Sequence, residues 1–502
     1  MTLGETFARV AAERPDHPAI AIRDSRISYG EMDDRARRWA RRIVDRLGRP
    51  AERIGVFGSR SEVSYMGVIA ALYSGGAFVP LNPRFPPART GRMIASGELD
   101  AILADRQGLG KLDAVLQEAG VRPFVLTPDE LCALATAPRL EQLPAVSMDS
   151  IAYLLFTSGS TGLPKGVPIT QANVRAYLQW GHERYRFSPQ DRFSQTFDQT
   201  FDLSVHDQFL CWESGATLYS LSPAELLAPT KFIQRNELTA WFSVPSVVAH
   251  MRKRGTLSPG AFPSLRWSLF CGEPLAEASA AAWKEAAPNS TVENLYGPTE
   301  LTIACCVHRW EPAISPRYCV NGMVSIGAPF PGLKARILDS ELRPAPDGEA
   351  GELCISGAQT SPGYWRNPAK TAESFIELAD GRYYRTGDRV VPLENGEFAC
   401  LGRVDNQVKV LGFRVELGEI EAVLQRDPKV VQAIAIGWPV VDGSAQSIVA
   451  FVTGSDVDTD ALQALCKESL SDYMVPSAIH VLSDMPLNAN GKVDRLALTK
   501  LL

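Results

Sequence analysis

The clearest chemistry in the chain lies in Thr157-Ser158-Gly159-Ser160-Thr161-Gly162-Leu163-Pro164-Lys165-Gly166. Four hydroxyls, three glycines and a lysine follow directly on the apolar run Tyr153-Leu154-Leu155-Phe156. Glycines let the backbone approach an anion and turn its N–H groups toward it, the hydroxyls add donors, and Lys165 adds charge. A strand that opens into such a loop is a phosphate-binding device. It is not a Walker A loop, which requires GxxxxGK[ST]; here Gly159 and Gly162 precede Lys165 at other spacings and Gly166 follows it. Phosphate handling alone does not name a reaction.

The elements that must position this loop read as an α/β fold. Residues 53–57, 77–81, 101–104, 151–156, 240–244 and 266–271 are short apolar strands, and residues 63–74, 229–235 and 276–287 are helical. Such alternation predicts a large N-terminal region of mostly parallel sheets flanked by helices. Residues 31–47 form a helix with a basic face, and that face reads as solvated. From about Gly327 short strands separated by Pro331-Gly332, Asp347-Gly348 and Asn395-Gly396 predict an antiparallel β subdomain. A compact α+β unit follows. The expected division is an N-terminal core, 1–404, and a small mobile C-terminal domain, 405–502.

Composition sets outer limits. The chain has 502 residues, is 45% hydrophobic and 22% charged, and carries a net charge of −6. No basic tract points to a nucleic-acid partner. The nine cysteines form no CxxC pair, which argues against zinc and suggests reduced thiols in a cytoplasmic setting. The N-terminus lacks a long apolar h-region, and no apolar run is long enough to span a membrane.

The loop TSGSTGLPKG resembles the phosphate loop of adenylate-forming enzymes: the adenylation domains of nonribosomal peptide synthetases, acyl-CoA synthetases and luciferases. The resemblance covers essentially the whole chain. It includes Ser28-Tyr29-Gly30-Glu31, Gly75 to Leu81, Asn294-Leu295-Tyr296-Gly297-Pro298-Thr299-Glu300, Gly351-Glu352-Leu353, Tyr384-Arg385-Thr386-Gly387-Asp388, Gly402 to Glu421 and Asn490-Gly491-Lys492, all in order. It implies ATP and Mg²⁺. Tyr296 offers a flat face for adenine, Asn294 a base-edge amide, and Gly272-Glu273 the facing turn. The resemblance assigns Thr299 to the α-phosphate, Glu300 to Mg²⁺, Asp388 to the ribose hydroxyls and Arg403 to ribose or phosphate. Lys492 is expected to stabilise the charge that grows as a carboxylate attacks the α-phosphate. A rotation about Asp405 would exchange Lys492 for Lys409 on the strand used in thioester formation.

The same resemblance places the acid-binding pocket at Asp202, Leu203, His206, Ser243, Leu269, Cys271, Leu295, Ile303 and Ala304. A buried Asp202 needs a cationic partner, and an α-ammonium provides one. The other positions are aliphatic or small, which implies a small amino acid. Several of them are similar to D-alanine–carrier-protein ligases, whereas His206 and Leu295 depart from that pattern. His206 either bonds a polar substrate side chain or packs and satisfies itself on a neighbour. The expected reaction is formation of an aminoacyl-adenylate and transfer to the phosphopantetheine thiol of a separate carrier protein. An acyl-CoA ligase and a catalytically inactive adenylate-binding scaffold are the alternatives.

Overall fold

The computed structural model describes residues 1–158, 164–405, 407–487 and 493–502. Two large sheets form its base. In the first, the strands run in the spatial order Phe124–Leu126, Ala101–Ala104, Arg53–Phe57, Ala77–Leu81, Ile151–Thr157, Lys165–Thr170. The first five are parallel to one another. Arg53–Phe57, Ala77–Leu81 and Ala101–Ala104 are buried at every position, as expected of parallel strands covered on both faces. Between the first two of these in sequence, the helix Glu62–Tyr73 makes the crossover, capped by Ser61 and ended by Gly75 in a left-handed turn (φ +89°).

The second sheet has nine strands. Its parallel centre is Thr291–Tyr296, Trp267–Phe270, Ala240–Ser243, Arg192–Gln195, Thr217–Ser220 and Pro18–Ile22. A shared apolar core runs between the sheets, from Leu3 and Trp212 to Leu269 and Tyr384. Each of these mostly parallel sheets carries an antiparallel strand on at least one edge. The reason is visible at the phosphate loop. Only residues 158–164 separate Ile151–Thr157 from Lys165–Thr170. A parallel crossover needs about a dozen residues or more, so the chain must fold back. Lys165 thereby becomes the first residue of an edge strand, in register with Thr157.

The expected antiparallel subdomain is a five-stranded sheet built on the long strand Gly381–Pro392, with Gly351–Ser356, Phe375–Leu378 and Phe398–Arg403 beside it and Lys334–Leu338 outermost. After it come two small sheets and the helices Leu417–Leu424 and Thr459–Ser469, around an apolar cluster of their own that includes Val415, Ile420, Ala450 and Leu462. Three arginines of the basic helix, Tyr29–Leu47, pair within it: Arg37 with Asp33, Arg38 with Asp34 and Arg41 with Asp45 at 2.7–2.8 Å. All nine cysteines are free. Among the described residues no helix is long and apolar enough to cross a membrane.

Candidate functional site

Two cavities meet beside the carboxyl ends of the parallel strands, the usual position for a ligand in an open α/β sheet. The larger, about 620 Å³, brings together Gly272, Glu273, Asn294, Tyr296, Gly297, Asp388 and Arg403, with Leu295, Asp405 and Lys409 also at its wall. Asn294 and Tyr296 are carried by the end of the strand Thr291–Tyr296. Asn294 Nδ2 donates to the Ser325 carbonyl at 2.9 Å, while its Oδ1 is buried without a partner among the described residues. That orphaned acceptor suits an exocyclic amine. Asp388 and Arg403 face each other across adjacent strands. Asp388 accepts from the Tyr296 hydroxyl at 2.5 Å and from Arg403 Nη1 at 3.0 Å, and Arg403 Nε and Nη2 also donate to Asp405 at 2.6 and 2.7 Å. Gly297 is needed for close approach: a Cβ there would stand 2.5 Å from the Ala304 Cα.

The smaller cavity, about 70 Å³, is lined by Thr157, Ser158, Asp202, Leu203, Cys271 and Thr299, and Lys409 lies in the wall of both. Asp202 precedes the buried helix Leu203–Glu213. Its Oδ2 accepts the Ile303 N–H at 3.1 Å. Thr302 and Ile303, both β-branched, are held in the left-handed region (φ 58° and 74°) to deliver that amide. Strain of this kind persists only where the surroundings over-determine it. Burial pushes the Asp202 carboxyl up to about 6, against the opposing bonds from Ile303 and Thr299. Among the described residues no cationic side chain forms an ion pair with it, though the Lys409 ammonium in the same wall also opposes the rise. Burial also lifts the Cys271 thiol to about 12 and lowers the Lys409 ammonium below its ordinary value.

His206, Ser243, Leu269, Ile303 and Ala304 are at the wall of neither cavity. His206 is buried, and its Nδ1 is hydrogen-bonded to the Tyr177 hydroxyl at 2.6 Å, with its ring 4.5 Å from that of Phe242. Burial lowers its pKa to about 3, so it is a neutral packing residue satisfied by a neighbour. Ser243 accepts from Trp241 Nε1 at 3.0 Å and donates to the Val244 carbonyl. Leu269 and Ala304 are core residues, and Ile303 contributes its backbone. Leu295 faces the larger cavity. Gly159, Ser160, Thr161, Gly162 and Lys492 lie outside the described residues.

Glu300 is buried and accepts from Tyr364 at 2.7 Å and from Arg414 Nη1 at 3.1 Å. Burial alone would raise its pKa; the Arg414 guanidinium, aided by Tyr364, holds the carboxyl down at about 2. A carboxylate kept ionised in a buried place and matched by a cation fits a divalent ion. Mg²⁺ needs only one or two protein carboxylates when phosphate oxygens complete its shell. Among the described residues no group of three or more His, Cys, Asp or Glu side chains could hold a metal ion. Arg414 and Tyr364 escaped the sequence reading. Arg414 sits within Gly402 to Glu421, so the segment was marked, but its partner is 114 residues away.

The family model for AMP-binding enzymes matches residues 7–365, and that for the AMP-binding enzyme C-terminal domain matches residues 419–492. A probable non-canonical nonribosomal peptide synthetase, CymA, from Salinispora arenicola is 36% identical over 98% of the chain. The chain spans only 6% of that synthetase's length, and 14% of tyrocidine synthase 2 from Brevibacillus parabrevis, to which it is 33% identical. Novobiocin biosynthesis protein H from Streptomyces niveus is 32% identical over 99% of this chain and 82% of its own. Among solved structures, the Vibrio cholerae adenylation domain AlmE in complex with glycyl-adenosine-5'-phosphate shares 30% identity, with a TM-score of 0.88 over 99% of this chain and 97% of that one.

Proposed function

The chain belongs to the AMP-binding enzyme family, and we propose that it activates a small amino acid with ATP and passes it to the phosphopantetheine thiol of a separate carrier protein. The observation that carries this reading is Asp202, a buried carboxylate at a small cavity with no cationic side chain paired to it among the described residues. An α-ammonium group supplies the missing charge, and a simple carboxylic acid does not. Leu203 and Cys271 line the same small space, which suits a short side chain. AlmE, named above with a glycyl-adenylate, and the synthetases support the same class.

In the first half-reaction a substrate carboxylate oxygen attacks the α-phosphorus and pyrophosphate leaves. Asn294 and Tyr296 hold the base, Asp388 and Arg403 the ribose, and Thr157, Ser158, Lys165 and Thr299 the phosphates. Glu300 holds Mg²⁺, which, when bound, offsets phosphate charge. Lys492 stabilises the pentavalent transition state. In the second half-reaction a thiol sulfur attacks the acyl carbon and AMP leaves. Lys409, half-buried in the wall of both cavities, serves that step in this reading, with Asp405 as the hinge of a C-terminal unit spanning 405–502. The test supplies a phosphopantetheinylated carrier protein or coenzyme A to enzyme charged with radiolabelled amino acid. The reading predicts thioester on the carrier protein. Efficient thioester formation on coenzyme A alone would favour an acyl-CoA ligase.

A further inference from the structure

The Asn294 amide has two ends, and Ser325 decides which one faces the larger cavity. A backbone carbonyl can only accept, so the Nδ2 that donates to it at 2.9 Å leaves Oδ1 for the base. That carbonyl is itself held by the strand Phe398–Arg403. Ser325 Oγ and the Ile326 N–H both donate to the Phe398 carbonyl at 2.9 Å, the Phe398 N–H donates to the Gly327 carbonyl at 3.0 Å, and the Gly327 N–H donates to Ser325 Oγ at 2.9 Å. The approach is close: at Gly327, φ +87°, a Cβ would stand 2.0 Å from the Val307 carbonyl carbon.

Glu397 immediately precedes Phe398, and its Oε2 accepts from His308 Nδ1 at 2.7 Å. His308 lies on the strand Cys306–Arg309, directly opposite Asn294 in antiparallel register, so the two side chains share a face of the sheet. The contacts therefore close a ring. It runs from Asn294 across the ladder to His308, through Glu397 and Phe398 to Ser325, and back to the Asn294 amide. His308 Nε2 is hydrogen-bonded to Ser315 Oγ at 2.9 Å, so serine, histidine and glutamate stand at the spacing of a hydrolase relay. Ser315 is buried, its Oγ also accepts the Glu311 N–H at 2.8 Å, and it lines neither cavity, which leaves it no access to a substrate carbonyl. Its part is to fix the imidazole. Burial alone would raise the Glu397 carboxyl; the His308 bond holds it below its ordinary value.

We propose that His308 and Glu397 are positioning residues for base selection: by holding the Ser325 carbonyl they keep Asn294 Oδ1 turned to the cavity, and so favour a 6-amino over a 6-oxo purine. The inference rests on the reading of Asn294 as the residue that meets the base. Without the Glu397 bond the carbonyl is no longer held, and the amide can turn end for end. A turned amide presents Nδ2, a donor, which suits an oxo group.

The test compares ATP with ITP, in which an oxo group replaces the exocyclic amine, in amino-acid-dependent pyrophosphate exchange by the full chain. Glu397→Ala should cut the wild-type preference for ATP about tenfold, through KM, with kcat for ATP within about twofold of wild type. Glu397→Gln, whose Oε1 still accepts from Nδ1, should keep the preference. A second pair acts from the other side of the bond. His308→Asn, which sets an amide N–H near the place of Nδ1, should keep the preference, and His308→Gln, which reaches toward Ser315 instead, should lose it. A wild-type ratio in Glu397→Ala or in His308→Gln would overturn the proposal. So would Glu397→Gln behaving as Glu397→Ala. Failure of the underlying reading looks different: Asn294→Ala would itself keep the wild-type ratio, and the proposal would fall with it.

Discussion

The two cavities share Gly272, Gly297, Pro298, Lys409 and Arg414 and differ in the rest of their walls. The larger has a volume of about 620 Å³ and is walled by turns, an orphaned amide oxygen and a carboxylate cross-linked to Tyr296 and Arg403. The smaller has about 70 Å³ and is closed around a single buried carboxylate. Room in the first lets fixed polar groups fit one invariant ligand. In the proposed reading, lack of room in the second makes shape and the Asp202 carboxylate, with Lys409 and Arg414 in the same wall, decide which acid enters. Tolerance to substitution should therefore differ sharply between them.

Asp202→Asn gives the largest expected effect. Removing one partner of a buried ion pair costs about 3–5 kcal/mol, so amino-acid kcat/KM should fall roughly 10²- to 10⁴-fold, with a far smaller change in nucleotide affinity measured by fluorescence titration. Asp388→Ala should show the reverse bias. Charge-assisted hydrogen bonds contribute about 1.5–3 kcal/mol each, so the KM for ATP should rise roughly tenfold to a hundredfold, with little change in amino-acid preference. The pH profile separates the cavities again. Only ionised Asp202 accepts an ammonium, and its pKa is raised to about 6. As pH falls below that value the carboxylate is protonated, so amino-acid kcat/KM should drop about tenfold per pH unit in the wild type, an inflection that Asp202→Asn removes. The smallest effect is Leu203→Ala. Added room at the small cavity should shift relative kcat/KM toward a side chain one methylene longer by about 1–3 kcal/mol at most, as a competition between alanine and 2-aminobutyrate would read.

Much of this was legible in the sequence because it is local. The strands 53–57, 77–81 and 101–104 announce themselves as apolar runs, and the structure gives the same bounds. The nucleotide-side residues sit in short motifs, but it is the resemblance to adenylate-forming enzymes that brings Asn294, Tyr296 and Asp388 together, since Tyr296 and Asp388 are 92 residues apart. The amino-acid side was harder to read. His206 pairs with Tyr177 from another helix, and Glu300 with Arg414 from the terminal unit. No periodicity or spacing encodes such long-range pairs; they follow from tertiary packing. The antiparallel edge at Lys165 was legible only through loop length, which the glycine-rich composition obscured.

The central claim is that Asp202 selects an amino acid by its ammonium group. The most direct measurement compares substrates that differ in that group alone: ATP–pyrophosphate exchange with glycine against acetate, and with each enantiomer of alanine against propionate. The account predicts at least a hundredfold preference for an amino acid over its deamino partner. Equal exchange with alanine and propionate, or with glycine and acetate, would contradict it.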